Sequence, residues 1–96
     1  MQVKVEYLGH IRRMLGSERE EEVEIEDDAL VVDLLKALSD KYGESFKRTV
    51  YEPSTKNVKA DFMATVNGYL LNQLNGLKTK LRQGDHIILM PVISGG

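Results

Sequence analysis

The sequence predicts an α+β domain in which a mixed sheet of four to five strands packs on one main helix. Residues 2–7 and the stretch around Val23 and Ile25 alternate apolar with polar side chains, which is the period of strands buried on one face. Residues 30–43 carry apolar side chains at helical spacing, and the segment 86–90 is almost continuously apolar. Two strands, a helix and later strands in this order favour a helix that crosses the sheet.

The first two strands are predicted to form an antiparallel pair. In QVKVEY the side chains of Val3, Val5 and Tyr7 share one face, and EEVEIED resumes the same alternation further along the chain. Between them, Ile11 and Leu15 are spaced by one helical turn, so we expect a short helical connection there.

The main helix is predicted from LVVDLLKALSDKYG. Its apolar residues step by 4, 3 and 4 positions and therefore share one face of a helix. The residues on this face are Val31, Leu35, Leu38 and Tyr42. Gly43 follows them, and a glycine just past the last turn commonly ends a helix.

Residues 44–60 are the least regular part of the sequence. The stretch EPSTKN is rich in turn formers, so we expect an exposed, mobile loop there. Alternation resumes from Phe62 to Val66, and the Asn-Gly pair that follows can supply the two positive φ angles of a type I′ turn.

Short turns are predicted to connect this reversal to the last strand. Leu74, Leu77 and Leu81 are expected to hold the turns against the core, and a Gly-Asp turn leads into HIILM. The continuous apolar character of HIILM favours a central strand. Pro91 is expected to end its ladder because proline has no N–H to donate.

Composition limits the classes of function. A chain of 96 residues fits one domain, here 1–96, and no stretch approaches the ~20 apolar residues of a membrane span. The first residues lack the features of a signal peptide, so we expect a cytoplasmic protein without a membrane partner. The absence of cysteine excludes disulfides, thiolate metal sites and cysteine nucleophiles. A net charge of −2 with scattered basic residues argues against a direct nucleic acid partner.

Titratable residues give little sign of a site. His10 and His86 have no recognisable partner spacing, so neither receives a role, and no metal site is predicted. The acidic run contains Glu22, Glu24 and Glu26 in alternation, which is typical of the solvated face of an edge strand.

Five segments carry a family resemblance in their order along the chain. They are YLGHIRRMLG, VVDLLKALSDKYG, VNG, GD and the terminal PVISGG. Together they resemble the MoaD/ThiS sulfur carriers, which have a ubiquitin-like β-grasp fold. The branch that the sequence most resembles is the small, sulfur-carrying subunit of molybdopterin synthase, in which a proline-containing tail commonly precedes the diglycine.

The resemblance implies that the α-carboxyl of Gly96 is the reactive group. A ubiquitin-activating-type adenylating enzyme would couple it to AMP from ATP, and a sulfur donor enzyme would convert the adenylate to a thiocarboxylate. The sulfur would then be used in molybdopterin synthesis, with the large subunit of the synthase as the second partner. Gly95, Ser94 and Pro91 would thread the flexible tail, at about 91–96, into a partner's nucleotide site, where a glycine has no Cβ to obstruct the approach.

The resemblance also implies that the chain is not itself an enzyme and binds no cofactor, because its partners supply the catalysis and use the ATP. Affinity for those partners is expected from an apolar patch near Met90 that includes some of Leu70, Leu71 and Leu74. The sequence leaves two alternatives open. One is a ubiquitin-like protein modifier, or a carrier for tRNA thiolation or thiamine synthesis, with the same activated terminus. The other is a β-grasp binding module whose terminus is not activated.

Overall fold

The computed structural model describes residues 1–9, 20–52, 57–58 and 62–91. The strands are β1 (Gln2–Tyr7), β2 (Glu20–Glu24), β3 (Tyr51–Glu52), β4 (Asn57–Val58), β5 (Phe62–Val66), β6 (Tyr69–Leu70) and β7 (His86–Pro91). The α-helices are α1 (Val31–Tyr42) and α2 (Glu44–Thr49), and 3₁₀ turns occupy Leu71–Gln73 and Gly76–Lys78. The helical connection predicted around Ile11 and Leu15 lies outside the described residues. None of the described helices is long and apolar enough to cross a bilayer.

Five strands form one mixed sheet in the order β2-β1-β7-β5-β6, which confirms the predicted sheet. β1 pairs antiparallel with β2, as predicted, and parallel with β7. β7 also pairs antiparallel with β5, so it is the central strand that its apolar sequence predicted. β3 and β4 form a separate two-stranded ribbon.

The core lies between one face of this sheet and helix α1. The fully buried side chains of the sheet come from alternate positions of β1, β5 and β7, while those of α1 lie on the predicted stripe and at Leu34. Helix α1 begins where the Asp33 carboxylate accepts a hydrogen bond from the Leu30 N–H at 2.8 Å. It ends at Gly43 with φ 74°, as predicted.

The segment after α1 is more regular than the sequence suggested. Residues 44–49 form α2, and Phe46 and Val50 are completely buried in the core. The two apolar side chains are one helical turn apart, so a short helix can insert both beside the end of α1. The Phe46 ring stacks on Tyr42 with 6.4 Å between centroids. Most of EPSTKN, the expected exposed loop, lies outside the described residues.

The connection between β5 and β7 confirms two predictions and corrects a third. Asn67 and the glycine after it have φ angles of 53° and 89°, as a type I′ turn requires. Leu81 is buried and Leu77 packs against the core. Leu74 does not pack there, since the backbone leaves helical geometry at this residue (φ −117°, ψ −145°) and its side chain is 37% exposed.

Candidate functional site

The predicted tail begins at the end of the central strand. Pro91 is the last residue of β7, and its Cα lies opposite that of Phe62 in β5. On the other side, the N–H of Leu8 donates a hydrogen bond to the carbonyl oxygen of Leu89 at 3.0 Å. The end of β7 is therefore held by chain segments on both sides as far as Leu89 and by β5 as far as Pro91. Ser94, Gly95 and Gly96 lie outside the described residues.

The outer face of the sheet, opposite α1, carries an apolar strip formed by Met63, Leu70, Ile88 and Met90. Strand pairing sets Met63 opposite Met90 and Thr65 opposite both Ile88 and Leu70. The four apolar side chains are half-buried although no helix among the described residues covers them. Thr65 lies among them and is 8% exposed, and its Oγ1 has no hydrogen-bond partner among the described residues.

The four residues predicted for a docking patch are distributed over different surfaces. Met90 and Leu70 belong to the apolar strip, whereas Leu71 packs against the core cluster and Leu74 is exposed beyond the 3₁₀ turn. The sequence reasoning missed Ile88, although the alternation of β7 contained the signal. Since Ile87 and Leu89 point inward, Ile88 and Met90 must point outward.

Charged side chains lie beside the apolar strip on the same outer face. Lys4 is opposite both Glu22 and His86 in the ladder. The His86 Nε2 lies 3.1 Å from the Glu6 Oε1, and the Lys4 Nζ lies 3.9 Å from the Glu20 Oε1. The sequence reasoning gave His86 no role, because Glu6 is 80 positions away in the chain. His10 lies outside the described residues.

A second polar cluster, centred on Glu21, joins β1 and β2 to α1. The Glu21 carboxylate accepts hydrogen bonds from the Tyr7 hydroxyl at 2.9 Å, from the Tyr42 hydroxyl and from the Lys41 ammonium. Burial acts to raise the pKa of Glu21, but the hydrogen bonds from Lys41, Tyr42 and Tyr7 outweigh it and lower the pKa. Burial and the adjacent Glu21 carboxylate raise the pKa of Tyr7, so its hydroxyl stays protonated. The cluster is thus a closed structural network in which each donor serves one ionised carboxylate.

Solved structures place this arrangement among the ubiquitin-like β-grasp proteins. Small archaeal modifier protein 1 from Haloferax volcanii superposes with a TM-score of 0.80 over 100% of both chains at 23% identity. The Methanosarcina acetivorans protein of the same name has 28% identity and a TM-score of 0.79, over 99% of this chain and 96% of the other. A candidate molybdopterin converting factor subunit 1 from Pyrococcus furiosus has 29% identity and a TM-score of 0.76, over 96% of this chain and 98% of the other.

The sequence identifies the family within this fold. The ThiS family model matches residues 5–96, so the chain belongs to the ThiS family. Among curated proteins, none matches the chain. The chain is therefore one of the ubiquitin-like sulfur carriers and modifiers, a class of small proteins that work with partner proteins.

Proposed function

We propose that the chain is a sulfur carrier whose Gly96 carboxylate is adenylated, converted to a thiocarboxylate and used as the sulfur donor in molybdopterin synthesis. The observation that carries the proposal is the ThiS family match, which extends through the Ser-Gly-Gly tail to Gly96. The likeness to a candidate subunit of molybdopterin converting factor, at 29% identity, favours molybdopterin as the acceptor pathway.

The chemistry requires an accessible carboxylate and no catalytic side chain from the carrier. A carboxylate oxygen of Gly96 attacks the α-phosphorus of ATP in the adenylating enzyme, and pyrophosphate leaves. A nucleophilic sulfur at the oxidation level of sulfide, supplied by the donor enzyme, then attacks the acyl carbon, and AMP leaves to give the thiocarboxylate. Glycine at the last two positions leaves room for this approach, since it has no Cβ.

The contribution of the fold is to present the tail at a defined place. β7 is hydrogen-bonded on both sides, so a partner that binds the sheet also positions the start of the tail relative to its own nucleotide site. A tail of a few residues buries too little area to supply the affinity for that partner alone.

We assign the docking of both partners, the adenylating enzyme and the large synthase subunit, to the apolar strip. The strip includes Met90, which directly precedes Pro91 and the tail, and its side chains are half-buried without cover from a described helix. A covering partner would remove the remaining exposed area of these side chains from water.

A second candidate function is protein modification by the same activated terminus. Its support is the likeness to small archaeal modifier protein 1, at 28% identity for the Methanosarcina acetivorans protein. In that case a lysine amine of a target protein, rather than sulfur, replaces AMP at the acyl carbon. Sulfur transfer to tRNA or into thiamine would use the same thiocarboxylate with another acceptor enzyme.

Intact mass spectrometry of the protein isolated from its native cell tests the proposal. A mass increase that matches replacement of one oxygen by sulfur at Gly96 is expected, and it should disappear when the gene for the adenylating enzyme is deleted. Diglycine remnants on lysines of other proteins would favour the modifier. A carboxylate that stays free under all growth conditions would contradict both. Assays of molybdenum cofactor and of thiolated tRNA in a deletion strain then identify the acceptor.

A further inference from the structure

We propose that Glu6, Glu20 and His86 form a binding site for one divalent transition-metal ion, of which Zn²⁺ is the best fit. The three residues belong to β1, β2 and β7, three adjacent strands of the sheet, and their ligand atoms all lie within 4.8 Å of one another. The proposal concerns the outer face of the sheet and does not depend on activation of Gly96.

The spacing of the ligand atoms suits a tetrahedral metal. Zn²⁺ binds imidazole nitrogen and carboxylate oxygen at about 2.0–2.2 Å, which separates two ligands of one tetrahedron by roughly 3.3–3.5 Å. The His86 Nε2 and the Glu6 Oε1 are 3.1 Å apart, so a small outward shift of either side chain admits the ion between them. Glu20 is half exposed at the sheet edge, and rotation of its side chain can bring its carboxylate to the third position.

The sheet holds the first two ligands in place. Glu6 is opposite Ile88 in the β1–β7 ladder, and His86 lies two residues before Ile88 on the same face, so their relation is fixed by backbone hydrogen bonds. The Glu6 side chain is only 13% exposed, whereas that of His86 is 39% exposed. An ion would thus bind between a largely covered carboxylate and an imidazole with access to solvent, and water would complete the coordination.

The donor set selects the kind of cation. One imidazole with two carboxylates suits Zn²⁺ and related first-row ions, while Mg²⁺ and Ca²⁺ prefer oxygen ligands alone. The two carboxylates supply negative charge for a divalent ion. Among the described residues, Lys4 competes with the ion for Glu20, because its ammonium lies 3.9 Å from the Glu20 carboxylate and its Cα lies opposite that of His86.

The test is a titration of the full, untagged chain with Zn²⁺ in competition with a chromophoric chelator. A second titration records the NMR signals of the histidine rings as Zn²⁺ is added. We expect one ion per chain, with perturbation of the His86 ring signals. His86→Gln and Glu6→Gln should each weaken binding at least about tenfold, the range seen even for residues that only support a metal ligand. Glu20→Gln should weaken binding less, and Lys4→Gln should strengthen it.

Glu24→Gln is the matched control, because Glu24 is exposed on the same strand as Glu20 but pairs with Gln2 at the far end of the ladder. The affinity of the Glu24→Gln variant for Zn²⁺ should equal that of the unmodified chain. Thermal melts without metal establish that each variant is folded. If a variant does not fold, the NMR signals of the histidine rings in the unmodified chain still show whether His86 binds the ion. Failure to saturate at one ion per chain, or equal affinity in the His86→Gln variant, would overturn the proposal in favour of adventitious binding to surface carboxylates.

Discussion

The two faces of the central strands differ although they are built from alternate residues of the same segments. On the inner face, Val5, Ile87 and Leu89 are fully buried against α1. On the outer face, Ile88 and Met90 are only half-buried, with no described helix over them. In the part of the chain that the structure describes, the inner face satisfies its polar groups through Glu21, whereas the outer face leaves the Thr65 hydroxyl without a partner.

With the docking role proposed for the apolar strip, this difference separates stability from recognition. The inner face removes its apolar side chains from water on folding and so supplies most of the stabilising free energy. The apolar side chains of the outer face stay partly exposed to water. A partner that covers the apolar strip would bury them and so gain stabilising free energy for the complex. Substitutions on the two faces should therefore separate into those that change the free energy of unfolding and those that change binding.

The largest expected effect is on the inner face of β7. Leu89→Ala should lower the free energy of unfolding by about 2–5 kcal/mol, because it leaves a cavity at a fully buried position. Ile88→Ala, one position earlier on the outer face, should cost clearly less. Urea denaturation of the two variants measures both. Equal losses would mean that the faces do not differ in their contribution to stability.

The next effect is expected from the Glu21 network. Tyr7→Phe removes a hydrogen bond to a charged, partly buried acceptor and should cost about 1.5–3 kcal/mol. Tyr69→Phe is the control, since the Tyr69 side chain is 59% exposed and should tolerate the loss of its hydroxyl. Thermal or urea unfolding of both variants provides the comparison, and a neutral result for Tyr7→Phe would show that the network contributes nothing.

Substitutions in the apolar strip should change binding more than stability. Met90→Glu and Ile88→Glu place a charge on the surface assigned to partners, and each should weaken the complex with the adenylating enzyme by about 1–2 kcal/mol or more. Ala37→Glu, on the exposed side of α1, is the control for one added negative charge. Calorimetry of each variant with the partner measures the change. Unaltered affinity in both strip variants would place the docking surface elsewhere.

Acid should lower the free energy of unfolding by protonating Glu21. Its pKa is lowered in the folded chain, so its contribution to stability is present at neutral pH. That contribution is lost as pH falls below the ordinary glutamate pKa of about 4.3 and through the lower folded value. Glu21→Gln should flatten this part of the stability profile, whereas Glu24→Gln should leave it unchanged. Parallel profiles for Glu21→Gln and the unmodified chain would contradict the assignment.

Local patterns predicted the elements that need no distant information. Strand alternation, the helical stripe of α1 and the Asn-Gly turn each depend on residues close in sequence, and each was confirmed. The six-residue helix α2 was missed, because one turn and a half contains too little periodicity and its stability comes from burying Phe46 and Val50.

The polar clusters could not be predicted in the same way. Glu21 meets Tyr7 across 14 positions and Tyr42 across 21, and His86 meets Glu6 across 80, so only the strand register and the packing of α1 on the sheet bring them together. Glu21 was not singled out, because it belongs to an acidic run whose pattern is typical of a solvent-exposed edge strand. The tail was predicted from its resemblance to a family rather than from packing, since Ser94, Gly95 and Gly96 have no apolar side chain to contribute.

The most direct test of the separation between stability and function is deletion of Gly95 and Gly96, with a thermal melt and ATP-dependent adenylate formation measured on the same sample. The free energy of unfolding obtained from the melt should change by less than about 0.5 kcal/mol, as for surface changes that leave structural features intact. Adenylation should be abolished, because the carboxylate retreats by two residues, or ~7 Å of extended chain. A truncated chain that is adenylated at the normal rate, or that unfolds, would contradict the account.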